Sequence, residues 1–319
     1  MTRRLDKLAL FKDLGYEPHA GQLLVHRSQA KGRVLACGSR WGKSLCASME
    51  ACAALLEPRD QTLGWLVAPT RDLVDRIFLR VVDTLKARMP HRVLELDLRT
   101  QRIVVSNLGG GTSELRGKSA DMPVTLLGEA LDFLIVDEAT RLREEIWQSY
   151  LSQRLVDRGG WVLFLSTPNG PGWFHRLYRS GQRKRDADCE SWSSPSWTNP
   201  QVDAEVIEAE RSRLDADVFR EQYGGEFVGV EAEPCERCLP PSPEACQVLW
   251  LEESELKRRC PDCGELVDEA GRTLVPPGCR RVRVVWYRKE EGEDDGGLQS
   301  SGPEPAFVPG AGPLVPENP

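Results

Sequence analysis

A lysine and a serine stand together behind a glycine in the run Cys37-Gly38-Ser39-Arg40-Trp41-Gly42-Lys43-Ser44. A short apolar run ends just before it and a helix-like pattern opens just after it. A loop between a strand and a helix turns successive backbone N–H groups inward, and the helix N-terminus adds its positive dipole end, so such a loop cradles phosphates. Lys43 would reach the β- and γ-phosphates, and Ser44 would hold Mg²⁺ through its hydroxyl. The usual spacing places a glycine where Cys37 stands, and Gly-Lys-Ser alone also describes an ordinary surface turn. A second group is Asp137-Glu138, which ends the apolar run Phe133 to Val136. A carboxylate at the tip of a buried strand can coordinate Mg²⁺, and the neighbouring one can polarise the attacking water. Ser166-Thr167-Pro168-Asn169-Gly170 ends another apolar run; it puts the Thr167 hydroxyl where a γ-phosphate could be sensed, and it also reads as a plain turn.

These groups need a scaffold. Residues 33–36, 63–68, 102–105, 133–136 and 161–165 are short, continuous apolar runs, as expected of parallel strands covered on both faces. Helical periodicity over 45–56 and 72–89 separates them. The alternation predicts an α/β fold with a mostly parallel central sheet flanked by helices. Ligands in such sheets bind beyond the carboxyl ends of the strands, where all three motifs fall.

In this order the motifs resemble the ATPase domain of the large terminase subunit, the motor that packages DNA into tailed-phage capsids. The resemblance spans about residues 10–230. Pro18-His19-Ala20-Gly21-Gln22 is similar to the family's adenine-recognition segment, which makes Gln22 the adenine contact. Ala68-Pro69-Thr70 looks like its second-strand motif, and Ser166 to Gly170 like its coupling motif. Asn199-Pro200 and the stretch Phe219 to Phe227 resemble its closing segment. The resemblance implies a P-loop NTPase of the ASCE type, with ATP and Mg²⁺ as cofactors. Glu138 would be the catalytic glutamate and Asp137 the Mg²⁺-linked aspartate. Arg40, the one arginine of the loop, and Lys43 would assist catalysis, and Ser39, Gly42, Ser44 and Thr167 would complete the nucleotide site. An arginine that the family uses as a finger on a neighbouring subunit's ATP aligns with Leu127, before Gly128; Arg141 and Arg143 are candidate substitutes.

Arg99, Arg102, Arg116 and Lys118 lie around short strand-like segments and would grip the DNA backbone, a contact that is sequence-independent and salt-sensitive. Each alone also reads as part of a solvated face. The resemblance further implies double-stranded DNA, a portal protein and a small terminase subunit as partners, with a ring-shaped homo-oligomer as the active form. The competing readings are another P-loop ATPase of helicase or defence type, and a catalytically weak nucleotide-binding assembly subunit.

Composition divides the chain near residue 230. The chain of 319 residues has a net charge of −7. Residues 1–230 carry +1 of that and residues 231–319 carry −8, so the acidity does not count against nucleic acid for the first part. Six of the 10 cysteines fall between Cys235 and Cys279. Cys235, Cys238, Cys260 and Cys263 form two CxxC pairs, a spacing that can close a tetrahedral, structural Zn²⁺ site; reduced thiols in a poorly folded segment are the alternative. The expected organisation is an ATPase domain over 1–230, a zinc-ribbon-like segment over 231–285 and a disordered acidic, Pro-rich tail over 286–319. That leaves no expected place for the RNase H-like nuclease that large terminase subunits carry. No apolar run is long enough to span a membrane, and no secretory signal is evident, so the expected location is the cytoplasm.

Overall fold

The computed structural model describes residues 5–182 and 188–230, together with the strand segments Gln247–Glu252, Arg258–Arg259, Leu266–Val267, Arg281–Tyr287 and Ala306–Pro309. Its contacts divide into two units, Met1–Gly229 and Val230–Pro319.

The first unit is built on eight strands: β1 (Gly32–Ala36), β2 (Gln61–Ala68), β3 (Val93–Asp97), β4 (Arg102–Ser106), β5 (Thr112–Ser119), β6 (Phe133–Val136), β7 (Trp161–Ser166) and β8 (Cys189–Trp192). They lie in the order β3-β4-β5-β2-β6-β7-β1-β8. Strands β5 to β8 in that spatial order pair in parallel, and β3, β4 and β5 add an antiparallel margin. Five of the eight follow the apolar runs. The other three are half-polar; β5 reads Thr-Ser-Glu-Leu-Arg-Gly-Lys-Ser and buries only Ser113 and Leu115 fully, so hydropathy alone does not mark it.

Successive strand residues point to opposite faces, and the core divides accordingly. Leu35, Leu66, Ile135, Leu163 and Leu165 pack on one face with α3 (Lys43–Leu56) and α4 (Arg71–Arg88). Val34, Ala36, Trp65, Val67, Leu134, Val136, Val162 and Phe164 pack on the other with Phe174 of α5 (Trp173–Gly181). Helix α4 buries Val74, Ile77, Phe78, Val81, Val82 and Leu85, a spacing of three and four that forms one stripe.

Two short N-terminal helices, α1 (Lys7–Asp13) and α2 (Ala20–Arg27), are fixed to the sheet by one buried carboxylate. Glu50 of α3 accepts from Arg33 Nη1 at 2.6 Å, His26 Nδ1 at 2.7 Å and Lys7 Nζ at 3.0 Å. Tyr16 completes the chain by donating its hydroxyl to His26 Nε2 at 3.0 Å. Burial would raise the Glu50 pKa, but Arg33, Lys7 and His26 together hold it well below the carboxylate range.

In the second unit, β12 (Arg281–Tyr287) pairs in parallel with β9 (Gln247–Glu252) and antiparallel with β13 (Ala306–Pro309), while Arg258–Arg259 pairs with Leu266–Val267. The strand Ala306–Pro309 falls in the stretch expected to be a disordered tail; its Ala-Phe-Val core is a short apolar run inside a polar composition. Cys235, Cys238, Cys260 and Cys263 lie outside the described residues.

Replacing Glu50 by Ala should destabilise the first unit by about 3–5 kcal/mol, because Arg33 and His26 would keep buried polar groups with no acceptor. The native Glu50 pKa lies below its ordinary value of 4.5. The stabilisation should therefore be complete above that pH and be lost as pH falls beneath it. Urea unfolding of both proteins between pH 3 and pH 7 measures both effects.

Candidate functional site

The three sequence motifs meet at the carboxyl edge of the sheet. The phosphate-loop candidate leaves β1, Asp137-Glu138 leaves β6, and Thr167 follows β7, which lies between β1 and β6. Strands are about 4.8 Å apart, so β1 and β6 stand about 10 Å from each other across β7.

Lys43 opens α3 and its side chain turns back over the loop. Its Nζ donates to the carbonyl oxygens of Cys37 at 2.7 Å and Gly38 at 2.9 Å and to Thr167 Oγ1 at 3.2 Å. Burial lowers the Lys43 pKa, opposed by the charges of Glu138 and Asp137. The loop reaches this shape through left-handed backbone at Arg40 (φ 64°) and Gly42 (φ 100°). A side chain at Gly42 would also press on Gln22, with its Cβ 2.6 Å from Nε2.

The loop is gripped from outside by residues that no local motif marks. Trp41 is fully buried and donates its indole N–H to Thr198 Oγ1 at 3.0 Å. Ser196 Oγ donates to the Ser39 carbonyl, and Asn199 Nδ2 to the Arg40 carbonyl at 2.8 Å. The Gly38 and Ser39 amides donate to the carbonyls of Ser194 and Gln222, at 3.0 and 2.6 Å. These braces come from the segment 194–223, far away in sequence. Only the resemblance at Asn199 and at Phe219 to Phe227 hinted at them.

At the tip of β6, Asp137 is 4% exposed. Burial, reinforced by the Glu138 charge, pushes its carboxyl up to about 6, against the pull of the Glu138 amide, Lys43 and Arg76. A hydroxyl on the first turn of α3 and a buried carboxylate that lacks a full counter-charge are hard oxygen donors suited to Mg²⁺, which takes one or two carboxylates and completes its shell with phosphates and water. Glu138 has left-handed backbone (φ 50°). Its two oxygens face Arg76 Nη1 at 3.7 Å and Arg141 Nε at 3.8 Å. Arg76 sits on the exposed side of α4 and nothing in its sequence context announced it. Behind these residues Thr140 and Ser166 share a hydrogen bond of 2.7 Å, linking the tips of β6 and β7. Glu221 of the C-terminal part of the first unit accepts from the Gly170 amide in the loop after β7 at 2.5 Å.

The remaining site expectations separate. Gln22 is 2% exposed, and both ends of its amide are held by the main chain. Arg40 is exposed at the loop surface. Leu127 is half-exposed beside Gly128 (φ 107°), and Arg143 pairs with Glu145 at 3.8 Å. Arg102 and Arg116 are register partners on β4 and β5. Glu114 accepts from both at 2.5 Å, Glu95 adds a bond to Arg102, and Glu129 one to Arg116. Their charges are thus largely matched within the sheet. Lys118 lies over the Trp65 ring at 4.9 Å and donates to the Thr125 carbonyl at 3.3 Å, and Arg99, exposed on the β3–β4 turn, faces Asp97 at 3.9 Å. Among the described residues no group of three or more His, Cys, Asp or Glu side chains is arranged to hold a metal. Also among them, no helix is long and apolar enough to cross a membrane.

No protein-family profile matches the chain. The chain is 37% identical over 244 residues to the terminase large subunit of Thermus phage G20c, covering 68% of this chain and 50% of that protein. It is 28% identical over 243 residues to the terminase large subunit of Escherichia phage T5. The solved ATPase domain of the large terminase of Thermus phage P74-26 superposes with a TM-score of 0.62 at 36% identity, covering 72% of this chain and 100% of that domain. The chain belongs to the large terminase ATPase domain family. The large terminase of bacteriophage D6E, solved with ADP, shares the fold at a TM-score of 0.58 and 16% identity. The chain spans about half the length of the curated terminase large subunits it matches.

The Asp137 carboxyl should titrate near pH 6 in the metal-free protein. Glu138→Gln removes the neighbouring negative charge and should move that titration to lower pH. Carbon-detected NMR of labelled aspartate side chains reads both values.

Proposed function

We propose that this chain binds Mg²⁺-ATP on the Cys37–Ser44 loop, hydrolyses it, and uses the cycle to move double-stranded DNA into a phage capsid. The arrangement of Lys43, Asp137 and Glu138 around one sheet edge carries this reading, with β7 inserted between their strands as an ASCE-type ATPase requires. Lys43 holds the β- and γ-phosphate oxygens, exchanging its contacts with the Cys37 and Gly38 carbonyls for stronger anionic partners. Ser44 and Asp137 are the residues that would hold Mg²⁺, which would neutralise charge on the phosphate oxygens. Glu138 orients and deprotonates the attacking water. Thr167, within reach of Lys43 Nζ, senses the γ-phosphate and passes its presence through the coupling loop to Glu221.

The finger position is Leu127, so a positive charge on the transferred phosphate has to come from elsewhere. Arg141 and Arg76, beside Glu138, and Arg40 on the loop are the candidates. Arg99 and Lys118 are the better placed of the four cations for DNA phosphates, since Arg102 and Arg116 are bonded to glutamates at 2.5–2.6 Å while Arg99 meets Asp97 only at 3.9 Å. The portal protein, the small terminase subunit and further copies of this chain are the proposed partners. Strand cleavage is not part of this reading. A structural Zn²⁺ on Cys235, Cys238, Cys260 and Cys263 is proposed for the second unit, from their paired spacing.

The test is ATP turnover by the purified chain with and without linear duplex DNA. DNA-stimulated hydrolysis supports the motor; tight ATP binding without turnover supports an assembly role instead. Lys43→Ala should abolish nucleotide binding. Glu138→Gln should bind ATP as the parent does and lose about 10²–10⁴-fold in rate; a variant turning over at the parental rate removes Glu138 from the chemistry. Elemental analysis should find one zinc per chain, and Cys260→Ser with Cys263→Ser should release it while residues 1–230 resist protease.

A further inference from the structure

The turn between β3 and β4 reaches Glu138 through one helix. Arg99 stands on this turn with its side chain 94% exposed. The Asp97 carboxylate shapes the turn by accepting from the Arg99 and Thr100 amides at 2.8 and 3.4 Å. The last residue of the turn, Gln101, has left-handed backbone (φ 50°) and is 3% exposed. A non-glycine residue in that conformation persists where its surroundings hold it. Gln101 Nε2 donates to Asp75 Oδ1 at 2.7 Å and to the Arg71 carbonyl at 3.1 Å, both near the start of α4. Arg71 Nη2 in turn donates to the Arg99 carbonyl.

This junction is packed without slack. The Gln101 carbonyl accepts from the Gly117 amide of β5 at 2.8 Å. A Cβ on Gly117 would lie 2.6 Å from Val74 Cγ1 and 2.7 Å from Gln101 Cβ, so the turn, α4 and β5 touch at a point where only glycine fits. Interior groups packed this closely pass a displacement on. The residue after Asp75 on α4 is Arg76, whose Nη1 faces Glu138 Oε1 at 3.7 Å. Gln101, Asp75 and Arg76 therefore join the exposed turn to the carboxylate in succession.

We propose that Gln101 is a positioning residue that makes ATP hydrolysis answer to DNA. A phosphate drawn to Arg99 loads the turn. Gln101 carries that load into the start of α4, and Arg76 moves with the helix and re-aims the Glu138 carboxylate. The inference rests on the proposed ATPase role and on the proposed DNA contact at Arg99, and assigns the coupling between them to one buried amide. Without DNA there is nothing to relay, so Gln101 bears on the stimulated rate and not on the basal one.

The experiment measures kcat and KM for ATP with the full chain, without and with saturating linear duplex DNA, together with DNA affinity. Gln101→Asn tolerates left-handed backbone, but its shorter side chain does not reach Asp75. Asp75→Ala removes the acceptor from the other side and introduces the best helix former. Both variants should keep DNA affinity, KM and the DNA-free kcat within about twofold and lose about fivefold or more of the stimulation factor, the scale of one hydrogen bond. Asp75→Asn keeps an acceptor oxygen and should keep the parental stimulation. Parental stimulation in Asp75→Ala overturns the inference, as does a loss in Asp75→Asn equal to that in Asp75→Ala. An equal loss of rate with and without DNA also overturns it, because Gln101 would then serve the fold alone. Should Gln101→Asn fail to fold, the two Asp75 variants decide. A parent that hydrolyses ATP at one rate with and without DNA overturns this inference and leaves the nucleotide site standing. A parent that binds no ATP overturns the proposed function, and this inference with it.

Discussion

Burying an ammonium in a protein costs several kcal/mol unless fixed oxygen atoms surround it. Lys43 meets that condition with the carbonyls of Cys37 and Gly38 and the hydroxyl of Thr167. Carbonyls at those positions require a loop that bends tightly over its own lysine, hence the left-handed backbone at Arg40 and Gly42. A loop so bent exposes its outer polar groups, and specific partners answer them: His19 and Gln22 at the start of α2, and Ser196, Thr198 and Asn199 from the closing segment. The N-terminal helices and the far end of the first unit are thus parts of one enclosure around a single charge.

The same enclosure explains the two carboxylates on β6. Asp137 is buried deeply enough that its carboxyl prefers to keep a proton up to about pH 6, while Glu138, one residue on, leaves the strand in a left-handed turn toward Arg76 and Arg141. Adjacent residues on one strand end thereby acquire different chemistries: one suited to a hard cation, the other to a water. Local backbone strain of this kind concentrates where a side chain must be aimed rather than packed.

Much of this was legible in the sequence because it is written locally. The Cys37–Ser44 loop and the Asp137-Glu138 pair follow apolar runs whose burial on both faces dictates their character, and α3 and α4 follow from apolar spacing. What was illegible is written over distance or in polar residues. Strand β5 has too few apolar residues to announce itself, yet it joins the antiparallel margin to the parallel sheet. The contact of Arg76 with Glu138 depends on how α4 returns across the sheet. The ion pairs that occupy Arg102 and Arg116 arise only from the register of β4 against β5, so a reading by residue type could not separate them from Arg99. Gln22 was found by resemblance, but which groups its amide would meet was a matter of how α2 docks on the loop.

In the proposed cycle Lys43 exchanges two carbonyl contacts for phosphate oxygens. A crystal structure of the chain with Mg²⁺ and a non-hydrolysable ATP analogue tests it most directly. Lys43 Nζ should lie within hydrogen-bond distance of the β- and γ-phosphate oxygens, with the metal on Ser44 and Asp137 beside it, and Glu138 should face the γ-phosphate across a water. An analogue bound elsewhere, or bound with Lys43 still on the Cys37 and Gly38 carbonyls and away from the phosphates, would contradict it.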